Sequence, residues 1–231
     1  RVLFRSPADR ALGIPGEDLS GSHSATEFVA WYNGHPDFCD YKFDLSAKNA
    51  FVIGIGNVAL DVARILAKTP EELAETDIAD YALDALRASQ LEDIWLVGRR
   101  GPLQAAFSPA ELREFMELAE ADVVVEQNVL ELDAESQQIL ETVATNDTKK
   151  NIEILNQISA RDISEKKRRV HFLFLSSPVE ISGNDKVEKI SLVRNQLLKR
   201  EDGSLAAQPT EKINEAAAEL VFRSIGYHGQ P

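Results

Sequence analysis

Cysteine is almost missing from this 231-residue chain. With Cys39 alone, no internal disulfide can form and no cysteine-based metal or iron–sulfur site can be built. Histidine is scarce too. His23, His35, His171 and His228 show no ligand spacing, so each reads as structural or exposed and no metal site is expected. No apolar run approaches the roughly 18 residues of a membrane-spanning helix. Positive charge is in deficit: 25 Lys and Arg stand against 38 Asp and Glu, a net charge of −13, which argues against nucleic acid as the main partner. The first residue is Arg1, not Met, and Arg1 to Arg10 does not resemble a signal peptide. The expectation is a piece of a longer cytoplasmic chain. What is present, 44% hydrophobic and 27% charged residues, has the proportions of a soluble globular protein with one large domain or two small ones.

The chain is organised around Ala50 to Lys68, AFVIGIGNVALDVARILAK. Ala50 to Ile53 has the length and makeup of a strand buried on both faces. Gly54-Ile55-Gly56-Asn57-Val58-Ala59 is a G-x-G-x-x-A turn. A helical pattern follows, with Val58, Val62, Ile65 and Leu66 on one face and Asp61, Arg64 and Lys68 turned away. Strand, glycine turn and helix open a dinucleotide-binding βαβ unit. Gly54 permits the tight turn, Gly56 lets a pyrophosphate approach the backbone, and Ala59 keeps helix and strand close. The helix N-terminus offers free N–H groups and the positive end of its dipole to the phosphates. The alternative is a purely structural turn.

Residues 1–48 do not read as a domain of their own. Val2 to Phe4 suggests a strand, Gly13 to Asp18 is turn chemistry, and Ser24 to Tyr32 is a helix with Ser24 and Glu27 as a capping box. Trp31 and Tyr32 read as packing residues. Beyond the glycine helix, Thr69, Pro70 and Glu72 restart a helix, and Asp77 to Ala88 continues in helical spacing. This is a helical insertion before the second strand, Ile94 to Val97.

That second strand runs into Gly98-Arg99-Arg100-Gly101-Pro102. An NAD-preferring site places an acid there for the ribose hydroxyls, about 20 residues after the motif. Here two arginines stand in that place, with Arg99 lying 43 residues after Gly56 because of the insertion. Guanidinium groups pair with the 2′-phosphate that distinguishes NADP from NAD. The alternative is a solvated pair of surface arginines. Ser108-Pro109-Ala110-Glu111 then reads as a capping box ahead of Leu112, Phe115, Met116 and Ala119 on one helical face. Asp122 to Glu126 is a third strand, parallel to the first two, with helices expected on both faces.

Residues 134–166 read as helical and polar, with a turn near Asn146-Asp147. Lys166-Lys167-Arg168-Arg169 closes them, as a docking patch for an acidic protein or as a solvated helix end. Val170 to Leu175 is a strand broken by Ser177-Pro178, with Val179 to Ile181 as its continuation. Val187 to Leu197 returns antiparallel, and Leu220 to Phe222 is a closing strand.

The segments GIPGEDL (13–19), ATEFVAWYNGHPDF (25–38), GNVALDVARIL (56–66), TDIADYAL (76–83), VGRRGPLQAAFSPAELRE (97–114), FLSSPVEI (174–181) and VFRSIGYHG (221–229) resemble the adrenodoxin-reductase-like family of ferredoxin–NADP⁺ reductases. The resemblance covers nearly the whole chain. It implies an α/β, Rossmann-like dinucleotide-binding domain with a parallel βαβαβ core, helical insertions and an antiparallel β-meander. Residues 49–231 would be the NADP-binding domain, and residues 1–48 a connection from an FAD domain. NADP contacts are implied for Ile55, Gly56, Asn57 and Val58 at the pyrophosphate, for Arg99 and Arg100 at the 2′-phosphate, and for Glu111, whose capping box is an alternative explanation; Gly54 joins the cofactor site through its turn. Hydride would pass from NADPH to FAD, and single electrons to ferredoxin. The family's second glycine-rich fingerprint, for FAD, is nowhere in these residues. The chain therefore reads as the NADP half, inactive in isolation, with FAD bound only in the full-length enzyme and no catalytic acid or base of its own. The alternatives are a non-catalytic NADP-binding regulatory module and a flavin-free NADP-dependent dehydrogenase.

Overall fold

The computed structural model of the chain describes residues 10–132, 134–200 and 205–226. The expected strand at Val2 to Phe4 lies outside them. In chain order the elements are β1 (Ser22–Ser24), α1 (Ala25–Tyr32), β2 (Asn49–Ile53), α2 (Asn57–Ala67), α3 (Pro70–Ala74), α4 (Asp80–Arg87), β3 (Asp93–Val97), α5 (Pro109–Glu114), β4 (Ala121–Val125), α6 (Ala134–Thr142), α7 (Asn146–Ser159), β5 (Arg168–Leu173), β6 (Ser176–Ser182), β7 (Lys189–Lys199), β8 (Leu205–Ala217) and β9 (Leu220–Arg223).

Six strands form a parallel sheet in the order β1-β9-β2-β3-β5-β4, and β6-β7-β8 form an antiparallel meander. The central strands β2, β3 and β9 carry apolar side chains on both faces, and these divide by parity. Ala50 and Val52 of β2, with Ile94 and Leu96 of β3, enter one core with Phe28, Leu60, Leu66, Leu86, Leu112 and Leu155 of the helices. Phe51, Ile53 and Val97 enter a second core with Ile181, Ile190 and Leu192 of the meander. The expectation of helices on both faces is corrected by this arrangement. The apolar side chains of α1 to α5 and of α7 serve one face, and the meander covers the other. Val170 to Leu175 is corrected as well. Val170 to Leu173 belong to β5, between β3 and β4 in the parallel sheet, and Val179 to Ile181 lies in β6 of the meander rather than continuing it.

Residues expected to be a connection contribute to this body. β1 pairs in parallel with β9, and Phe28 and Trp31 of α1 are buried. Ser24 accepts a hydrogen bond from the Thr26 N–H, and the Glu27 carboxylate accepts one from the Ser24 N–H. Thr69 and Glu72 cap α3 in the same reciprocal way.

The basic run that leads into β5 is not a helix end, since α7 stops at Ser159. Arg168 is only 5% exposed, and its Nη1 donates to the carbonyls of Ala67 (3.3 Å) and Lys68 (2.7 Å), at the C-terminus of α2. A cation there satisfies orphan carbonyls and faces the negative end of the dipole. Burial pulls the Arg168 pKa down, with Glu72 opposing. Arg169 instead pairs with Asp93 at the surface. Arg168→Met keeps the volume and strands those carbonyls, so urea denaturation should show a loss of about 1–3 kcal/mol. An unchanged midpoint would mean that water replaces the guanidinium.

Candidate functional site

A cleft of about 660 Å³ opens where β9, β2 and β3 end at their carboxyl termini, which is where ligands sit in open parallel sheets. Its walls include Gly54 to Val58, Val97 to Arg100, Ser176 to Pro178 and Arg223 to Gly226. Arg10 to Leu12, with Ala25 and Thr26 from the start of α1, close one side.

The two glycines of the turn serve different ends. Gly54 has φ +146, and a Cβ there would lie 2.2 Å from the Ser224 carbonyl oxygen. Glycine is thus required by the protein itself, because the segment after β9 crosses against the turn, with the Ser224 N–H donating to the Ile53 carbonyl at 2.8 Å. Gly56 has an extended backbone, φ −117, and a Cβ there would meet nothing within 4 Å. No contact within the protein requires a glycine at 56. The space its Cβ would fill is the cleft.

Gly56 is also the N-cap of α2, and no side chain caps that helix. The Asn57 side chain turns outward instead, its Oδ1 accepting the Ser108 N–H at 2.8 Å. The first turn of this 11-residue helix lines the cleft, and no side chain among the described residues caps it. Opposite it, Arg99 is exposed and Arg100 half-buried after the end of β3. Arg10 and Arg223 also line the cleft. Four arginines and no carboxylate among the described lining residues make this a positive pocket in a chain of net charge −13. His23 packs beside it against Phe43. Burial, and then the Arg223 guanidinium, push its pKa down to about 4, so it adds no charge near neutral pH.

The structure brings Gly54, Ile55, Gly56, Asn57, Val58, Arg99 and Arg100 into one cleft. Glu111 is not among the cleft residues. Its carboxylate accepts from Arg64 at 2.8 Å, and Arg64 also pairs with Asp61 and Glu114. Burial pushes the Asp61 carboxyl up, against the pull of Arg64. This corrects two readings. Arg64 is not turned to solvent, and the capping box at α5 is half made: Ser108 accepts from the Glu111 N–H at 3.4 Å, but the Ser108 N–H goes to Asn57. The sequence reading missed Arg10 and Arg223. Arg223 was legible only as a polar residue ending an apolar strand. Its guanidinium is aimed by donating to the Glu17 carbonyl (2.7 Å) and the Ser22 hydroxyl (2.9 Å), both distant in sequence. Among the described residues no group of His, Cys, Asp and Glu could hold a metal, and no helix is long and apolar enough to cross a membrane.

A glycine turn leading into an uncapped helix, at the carboxyl ends of parallel strands, defines a Rossmann-like dinucleotide-binding α/β domain. No family model matches the chain. Among curated proteins it is 48% identical over 224 residues to NADPH-ferredoxin reductase FprA of Mycobacterium leprae, covering 97% of this chain and 48% of that protein. It is 37% identical over 239 residues to the mitochondrial NADPH:adrenodoxin oxidoreductase of Arabidopsis thaliana, covering 100% of this chain and 49% of that one. A solved structure of Mycobacterium tuberculosis FprA in complex with NADPH superposes with a TM-score of 0.91 at 48% identity, over 98% of this chain and 49% of that chain. The chain is similar to NADPH-ferredoxin and NADPH:adrenodoxin reductases, and it spans about half the length of the curated relatives it matches.

Proposed function

We propose that this chain is the NADP(H)-binding domain of a flavin-dependent ferredoxin–NADP⁺ reductase, acting in the cytoplasm. The observation that carries the reading is one cleft holding an uncapped helix N-terminus, an open Cβ position at Gly56 and the Arg99-Arg100 pair, with no carboxylate among the described residues that line it. These residues fit a dinucleotide that bears a further phosphate. The α2 amides and Gly56 would take the pyrophosphate, with Ile55, Asn57 and Val58 around it, and Arg99 and Arg100 the 2′-phosphate. Glu111 would act through Arg64, or contact the nucleotide after a rotamer change.

When bound, NADPH supplies hydride to a flavin on another domain, from which single electrons go to a ferredoxin-like iron–sulfur carrier. This chain's part is to hold and orient the nucleotide. Residues 49–231 would form the body of that domain, joined by β1 and α1, and the crossings to the flavin domain would lie before β1 and after β9. There the Arg10 N–H donates to the Gly226 carbonyl at 3.1 Å, so the two ends run side by side. The earlier part of residues 1–48 would serve as the connection, and β1 and α1 as part of the nucleotide domain.

The purified 231-residue chain should bind NADP more tightly than NAD in a calorimetric titration. It should also be colourless and fail to reduce a dye with NADPH. Equal affinity for the two nucleotides would refute the NADP assignment, and a flavin absorption band with dye turnover would refute the division of labour between domains.

A further inference from the structure

The Arg99-Arg100 segment is held by the meander rather than by its own strand. Three consecutive carbonyls, those of Gly98, Arg99 and Arg100, accept hydrogen bonds from the Ser176 N–H (2.9 Å), the Asn195 Nδ2 (2.8 Å) and the Leu175 N–H (3.1 Å). Leu175, between β5 and β6, is one of two described non-glycine residues with positive φ, at +53. This unfavourable backbone aims its N–H at Arg100. Two of the three bonds come from backbone. Only the central one, on Arg99, comes from a side chain.

Asn195 is built for this contact. It follows the irregularity in the β7–β8 pairing between Val193 and Asn195, where the register shifts. Such bulges re-aim a side chain. The Asn195 N–H donates to the Leu175 carbonyl at 2.7 Å, and its Nδ2 reaches both the Arg99 carbonyl and the Ser177 hydroxyl at 2.8 Å. The side chain is 4% exposed, and its Oδ1 finds no hydrogen-bond partner among the described residues. A buried acceptor without a partner is unfavourable, and an apolar residue of similar size would avoid it. The Oδ1 goes unpaired while the Nδ2 serves the Arg99 carbonyl and the Ser177 hydroxyl, so what the side chain supplies here is a hold on the Arg99 backbone.

We propose that Asn195 is a positioning residue for 2′-phosphate recognition: from the second sheet it clamps the Arg99 carbonyl and presets the arginine pair over the cleft. This rests on the NADP reading above and adds a determinant outside the glycine motif and the arginines. A guanidinium on a fixed backbone loses less freedom on binding than one on a mobile loop. The clamp thus acts on affinity for the phosphate and leaves the rest of the nucleotide alone.

The test uses the 231-residue chain with 2′,5′-ADP and 5′-AMP as probes, by calorimetry. Asn195→Ala should weaken 2′,5′-ADP by about 2- to 12-fold, the range of one net hydrogen bond, and leave 5′-AMP unchanged. Amide exchange at Arg99, Arg100 and Gly101 should accelerate in the same variant. Asn195→Leu, which refills the volume, should show the same loss of selectivity; retained selectivity there would assign the effect to packing and overturn the proposal. Should neither variant fold, the Nδ2 protons of Asn195 in the unmodified protein decide. Slow exchange of these protons supports the clamp, and fast, averaged signals refute it. A preference for 2′,5′-ADP that is undiminished in both folded variants overturns the clamp and leaves the NADP reading standing. No preference in the unmodified protein overturns that reading, and the clamp with it.

Discussion

Replacing Arg99 and Arg100 together by alanine is expected to bring NADP and NAD to nearly equal affinity. A phosphate monoester carries roughly −1.5 to −2 charges near neutral pH. Hydrogen bonds to charged groups contribute about 1.5–3 kcal/mol each, so one lost arginine corresponds to about 10- to 150-fold in NADP affinity. The two will not contribute alike. Arg99 is exposed and belongs at the low end, discounted for solvent screening, while half-buried Arg100 belongs higher. NAD should be scarcely affected, because it has no phosphate at that position. Raised salt should narrow the preference of the unmodified protein in the same sense. Calorimetric titration of both nucleotides against the single and double variants reads this directly. If NAD weakened as much as NADP, the arginines would be scaffold, and the cleft's positive charge would need another ligand.

The glycine-turn half of the cleft was legible because its elements are contiguous in the chain. A buried strand, a glycine turn and a helix must be contiguous for a helix N-terminus to meet a pyrophosphate, and Ala50 to Lys68 carries all three. Arg99 and Arg100 were legible because a strand's end fixes where its next residues go. The caps at Ser24 and Thr69 followed for the same reason, each being complete within four residues.

The rest depended on partners that the local sequence does not name. β5 looked like the start of the meander because Val170 to Leu173 carries no mark of which strands lie beside it. β8 was not read at all, since most of its residues are partly or fully exposed and no apolar alternation marks it. Arg168 sat in a run of four cations, and only the fold shows that it caps α2 from about 100 residues away. Glu111 had a sufficient local explanation, which the structure half removes by giving its carboxylate to Arg64. Arg10, Arg223 and Asn195 reach the cleft or its arginine segment through contacts between segments far apart in the chain.

The glycines at 54 and 56 should respond in opposite ways to the same substitution. Gly54→Ala puts a Cβ 2.2 Å from the Ser224 carbonyl oxygen, at a φ of +146 that side chains rarely adopt. Relief would require β2 and β9 to part where Ile53 pairs with Arg223. Backbone strain of about 1–3 kcal/mol and overpacking of about 1–3 kcal/mol together remove roughly 2–6 kcal/mol, a large share of an ordinary domain's stability. Gly56→Ala meets no atom within 4 Å and has a φ of −117, open to any residue. The loss of a good N-cap and the gain from a stiffer unfolded chain oppose each other, so its stability should stay within about 1 kcal/mol of the parent. Its binding should not. The new Cβ occupies the pyrophosphate's approach, and Gly56→Val, with two more methyls, should abolish binding while the domain stays folded. Both NADP and NAD should be lost, since they share the pyrophosphate, which separates this effect from that of the arginines. Thermal melts and paired titrations distinguish every case. A stable Gly54→Ala protein would show that β2 and β9 can part there at little cost, and a Gly56→Val protein that still bound NADP at full affinity would show that the nucleotide does not lie across this turn.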